Sequence, residues 1–141
     1  LGGFTVKLAA YKTGLSFEKA FCMGILCNWL VCLAVWMAAG ANAVTGKLLA
    51  IFFPIWLFIT SGFEHSVANM YFIPLGMFIK AGSPDVVEAA ALAPDKLASL
   101  TMSGFWGNII PVTLGNMAGG ILFVAILYYL VFSGALSHEN Q

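Results

Sequence analysis

An ionisable pair, Glu64 and His65, stands inside one of the most apolar parts of this chain. It belongs to the stretch Ser61-Gly-Phe-Glu-His-Ser-Val-Ala-Asn69, in the middle of an apolar run from Leu48 to Ile79. An imidazole there could hold an anion when protonated, or hand it a proton. Two ionisable groups at membrane depth are expensive, and by default they mark a substrate or ion pathway. The bland alternative for His65 is a packed structural histidine, hydrogen-bonded to Glu64 or to a backbone carbonyl.

The element that carries this pair is too long for one straight span. As a continuous helix, Leu48–Ile79 would reach roughly 48 Å, against a hydrocarbon core of about 30 Å. A strong tilt or a break would absorb the excess. The polar residues cluster at Ser61–Gly62, so the span 48–79 is predicted to be broken near 61–64, with freed backbone groups lining a cavity. Phe58, Ser61, His65 and Asn69 follow i, i+3, i+7, i+11, and wherever the backbone is helical they share one face. Glu64 points roughly 100° away from His65 and reads as scaffold beside Ser61 and Gly62.

The composition sets the class. Of 141 residues, 61% are hydrophobic and 9% charged, too little charge to cover a soluble globule. The chain is read as an all-α polytopic membrane protein. All six basic residues are lysines and the formal net charge is zero, so nothing suggests nucleic-acid recognition. Cys22, Cys27 and Cys32 recur every five residues in one apolar helix. Successive members lie about 140° apart, so they cannot converge on a metal and read as small buried hydrophobes. No cofactor is expected.

Along the chain, residues 1–19 are expected to be the end of a preceding helix and a loop. The start at Leu1, with no charged n-region, suggests that residues precede it. The transmembrane domain is placed at 20–133, with helices at about 20–41, 48–79 and 105–132. Asn28, near the middle of the first, is either a helix–helix hydrogen bond or a pore-lining donor. The connector 80–104 is the one long polar region, with a short helix expected between Asp85 and Leu92, on the membrane surface or as a plain link. Gly115 and Gly119 have GxxxG spacing, which lets helices approach closely. Residues 134–141 form a polar tail in which His138 is a surface residue.

The blocks GILCNWLVCLAVWM (24–37), PIWLF (54–58), SGFEHSVANM (61–70), IPLGM (73–77) and IPVTLGNMAGG (110–120) resemble the formate/nitrite transporter family, most closely its formate channels. The resemblance runs from Lys12 to Phe132. It implies an aquaporin-like, six-helix protomer of two inverted repeats, assembled as a homopentamer in the bacterial inner membrane, with this chain as the second repeat. The missing N-terminal half would supply the other broken helix and a threonine facing His65. By the same resemblance His65 is the central pore histidine and Asn28 a polar group beside it. Phe58 belongs to an apolar constriction, Asn69 and Asn116 are pore contacts, and Lys12 is a basic residue at the periplasmic entrance.

The function implied is a channel for formate and related small monovalent anions or their conjugate acids. Nitrite, hydrosulfide or lactate passage stays open, as does a membrane subunit that transports nothing. An enzyme is not expected, since one histidine beside a glutamate is neither a metal cluster nor a nucleophile–base pair. Topology is contested: five of the six lysines fall on one side, which charge bias would make cytoplasmic. The resemblance implies the reverse, and the expectation follows it.

Overall fold

The computed structural model describes the backbone of residues 1–139 and side chains through Gly134, so the polar tail and His138 lie outside the described side chains. The described residues form helices α1 (Gly2–Thr13), α2 (Phe17–Gly40), α3 (Val44–Thr60), α4 (Ser66–Gly82), α5 (Pro84–Ala89), α6 (Pro94–Ser99), α7 (Met102–Gly120) and α8 (Leu127–Glu139). A π-helical stretch, Ile121–Ile126, joins the last two. Two helical segments, Phe17–Gly40 and Met102–Gly134, are long and apolar enough to cross a membrane, each with a mean hydropathy of 2.0.

The first nineteen residues are mostly helix. They are helical through Thr13, and only Gly14–Ser16 link α1 to α2. The reason is tertiary: Val6, Ala9 and Ala10 give α1 a small apolar face that is buried against Ile73 and Leu100. Gly76 of α4 permits the approach, since a Cβ there would run into the Ala9 side chain. The Ser16 hydroxyl then accepts the Lys19 amide at 3.4 Å and caps α2, which begins at Phe17.

The second crossing, α2 on α7, is closer. A Cβ on Gly115 would strike the Phe21 carbonyl, and one on Gly119 the Ile25 carbonyl. On the facing helix, a Cβ on Gly24 would lie 2.8 Å from the Val112 carbonyl. The GxxxG pair therefore lets two backbones touch, as small residues do between membrane helices. Of the three cysteines in α2 only Cys27 is buried; Cys32 is half-buried and Cys22 is exposed, which corrects the reading of Cys22 as a core residue.

The polar connector folds down onto α1 as two short helices, each opened by a proline in its first turn. Lys80 ties it in place, donating to the carbonyls of Leu97 at 2.7 Å and Leu100 at 3.0 Å. Against α2, the far end of the last span is sealed by rings: Trp29 on Phe123 with centroids 5.0 Å apart, and Trp36 on Tyr128 at 4.8 Å.

Candidate functional site

Between α3 and α4 the backbone leaves the helix for five residues, Ser61 to His65. The end of α3 closes on its own carbonyls, with the Gly62 amide on Ile59 and the Phe63 amide on Phe58. Gly62 sits at φ +67°, a left-handed conformation that glycine adopts without a Cβ penalty. The Glu64 amide reaches across to the Met23 carbonyl of α2 at 3.4 Å. His65 is extended at φ −119°, ψ 115°, and α4 starts from the next residue. The break corrects one detail of the helical-face pattern: Ser61 lies beyond the end of α3, is exposed, and does not join His65 on a common wall.

Behind the break lies a buried polar cluster. Glu64 is 0% exposed, and its Oε1 takes the Lys12 ammonium at 2.8 Å. Its Oε2 accepts the Asn69 amide at 2.6 Å and the Asn108 amide at 3.2 Å. Asn108 also accepts from Asn69 at 2.8 Å and donates to the Lys12 carbonyl at 2.9 Å. A buried carboxylate is tolerable only when its lone pairs are met, and here Lys12 meets one oxygen and the amides of Asn69 and Asn108 the other. Lys12 is buried, with its charge paired to that of Glu64.

A second, neutral cluster holds the same segment to α7. The Asn116 oxygen accepts both the Ser66 amide and the Ser66 hydroxyl at 3.0 Å. Its nitrogen donates to the carbonyls of Gly24 and Glu64, each at 2.9 Å. An asparagine has two donors and two acceptor sites, so all of its capacity is spent inside the protein. Asn116 therefore has nothing left for a permeant, which corrects its expected role as a pore contact. Asn28 donates to the Asn116 carbonyl at 2.7 Å, the helix–helix bond that was one of its two readings.

In front of these clusters is a cleft of about 460 Å³, walled by Phe4 and Leu8 of α1, Phe58 of α3, Phe72 of α4 and the break itself. His65 lines it half-buried, its ring 5.9 Å from that of Phe58. The His65 Nδ1 is buried without a hydrogen-bond partner among the described residues. Asn69 also borders the cleft, 0% exposed, with its amide nitrogen held by Glu64 and Asn108. Of the expected residues, the cleft brings together His65, Phe58, Asn69, Gly62, Lys12 and Glu64. Sequence reasoning passed over Asn108 and Ser66 as site residues. The available signal was Asn108 itself, a strong hydrogen-bonding side chain within an apolar span.

A larger groove of about 530 Å³, lined by Cys32, Trp36, Val124 and Tyr128, lies elsewhere on the α2–α8 surface and carries no ionisable group of that kind. The chemistry is at the break. Positive helix dipole at the start of α4, an aromatic wall and one unpartnered imidazole suit a small anion, in a place where full hydration is unavailable.

Residues 1–130 match the sequence profile of the family described as formate/nitrite transporter. The formate channel FocA of Escherichia coli K12 is 40% identical over 136 residues, covering 95% of this chain and 48% of that protein. A probable formate transporter of Methanothermobacter thermautotrophicus is 43% identical over 134 residues, covering 94% of this chain and 42% of its own length. Among solved structures, a pentameric formate channel with formate bound superposes with a TM-score of 0.81 at 38% identity, over 93% of this chain and 52% of that one. An ion channel of the same family gives 0.71 at 35% identity, over 91% and 45%. The chain spans about half the length of the relatives it matches.

Proposed function

This chain belongs to the formate/nitrite transporter family, and from that premise we propose that it forms one side of a transmembrane pore for formate and related small monovalent anions or their conjugate acids, with His65 at its centre. The observation that carries the reading is the cleft at the helix break, where His65 offers an unpartnered ring nitrogen beside the Phe58 ring. An anion entering hydrocarbon meets a desolvation cost of several kcal/mol unless it is paired or neutralised. With Lys12 and Glu64 spent on each other, the imidazole is the group of the wall whose charge is free to change. It can pair with the anion as imidazolium or give it a proton, and its unperturbed pKa lies near physiological pH. Phe58 strips water beside it, as apolar constrictions do.

The rest of the proposed assembly follows from length and likeness. The cleft is walled on this chain by α1, α3, α4 and the break, and the matched relatives are about twice as long. A first half of the protomer is proposed to close it. A homopentamer in the cell membrane of a bacterium is proposed from the pentameric channel that this chain resembles.

The test is flux into liposomes with formate, nitrite, hydrosulfide and lactate in parallel, using the assembled protein. His65→Phe removes both ring nitrogens at similar volume and is expected to abolish formate passage. His65→Asn keeps a polar group that cannot titrate, so remaining flux is expected to lose its pH dependence. A wild-type pH profile in His65→Asn would refute proton exchange at this residue, and no flux of any of the four would mark a subunit that does not transport.

A further inference from the structure

His65 has no side-chain hydrogen bond to fix it, and its ring lies 5.9 Å from that of Phe58. The backbone on either side of it is held instead. The two peptide groups that flank its Cα are the Glu64 carbonyl on one side and the Ser66 amide on the other. Both are bonded to the same side chain: Asn116 donates to the Glu64 carbonyl at 2.9 Å and accepts the Ser66 amide at 3.0 Å. Rotation about either φ or ψ of His65 breaks one of these bonds. The third bond, to the Gly24 carbonyl at 2.9 Å, anchors the clamp to α2, where Gly24 and Gly115 bring α7 close enough to reach.

We propose that Asn116 is the positioning residue for His65: a single amide that grips both flanking peptides, sets the extended conformation and aims the imidazole into the cleft. The position suits the task. Asn116 is buried, one turn from Gly115–Gly119 contact with α2, and fully satisfied, so its own geometry is fixed by three elements. The Ser66 amide is also one of the first donors of α4, which have no partner within their helix, so the clamp caps that helix from outside. A pore histidine thus needs no hydrogen bond of its own to be placed, and its Nδ1 is not spent on one among the described residues.

The inference builds on the transport reading, but its test does not need transport. The His65–Phe58 ring contact would be measured by solid-state NMR on the assembled protein with labelled histidine and phenylalanine. Asn116→Ala releases both peptides. Asn116→Asp keeps the acceptor for Ser66 but loses both donors and sets an oxygen against the Glu64 carbonyl. Both variants are expected to lose the ring contact, with formate flux falling up to about a hundredfold, as for a displacement of order 1 Å at a reacting group. A ring contact of wild-type strength in either variant overturns the proposal. If Asn116→Ala does not assemble, Asn116→Asp decides alone. Loss of the contact with flux unchanged would uphold the clamp and count instead against His65 as the pore group.

Discussion

Two membrane helices of this chain are interrupted, and the interruptions have opposite characters. At Ser61–His65 the backbone leaves the helix altogether, and its groups are met by side chains and carbonyls from α2 and α7, with Lys12 of α1 on the Glu64 carboxylate. At Ile121–Ile126 the backbone stays helical, widening to a π-turn between residues with ordinary helical dihedrals. A π-turn satisfies its own backbone within the segment, so it needs no outside partner. Its residues, ILFVAI, offer none. An irregular backbone at membrane depth becomes a chemical site only when it leaves the helix and must recruit polar groups, which then come with it into the bilayer.

If that contrast holds, the largest effect comes from the partner set of the first break. Glu64→Gln keeps the shape of the side chain but leaves the buried Lys12 charge uncompensated. Removing one member of a buried pair costs about 3–5 kcal/mol, and the assembled protein is expected to melt well below wild type. Adding Lys12→Met is expected to restore part of the loss. A Glu64→Gln protein that melts with wild type would mean that the pair is not what holds the break.

The sequence made the first interruption legible and left the second hidden, for one physical reason. Ser61, Gly62 and the Glu64–His65 pair are costly in an apolar run, so their presence announces a change in backbone. Nothing in ILFVAI differs from ordinary membrane helix, and the last span reads as continuous from 105 to 132. The same limit applies within the site. Residue types marked Glu64, His65 and Asn116 as important, but which hydrogen bonds each spends depends on contacts between helices far apart in the chain. Lys12 and Glu64, or Asn116 and Ser66, meet only after α1, α4 and α7 have packed. Residue type alone therefore did not reveal that Lys12 pairs with Glu64, or that Asn116 bonds to both peptides flanking His65. The extent of α1 was not legible, because its stability lies in burial against α4 rather than in its own pattern.

A smaller effect is expected from the backbone of the break itself. A Cβ at Gly62 would meet nothing within 4 Å, so the cost of Gly62→Ala is conformational only. At φ +67° that cost is about 1–2 kcal/mol, and a melting curve of the assembled protein measures it. A neutral result would show that the turn relaxes without its left-handed residue, and that the polar partners alone define the interruption.

The smallest effect belongs to the apolar interruption. Leu122 lies in the π-turn with 53% of its surface exposed, and in a bilayer that surface faces lipid tails as apolar as itself. Transfer from water therefore contributes little to holding it in place, and only local packing is lost on truncation. Leu122→Ala is expected to change stability by no more than about 0.5 kcal/mol, the usual range for exposed positions without a special role. Flux is expected to follow wild type, because Leu122 is not among the residues that line the His65 cleft. The same melting and flux measurements serve as for Gly62→Ala, which makes the two variants a direct pair. A loss above about 1 kcal/mol at Leu122 would mean that this surface packs against a neighbouring chain rather than lipid. The apolar interruption would then also have an outside partner, and the contrast between the two breaks would fail.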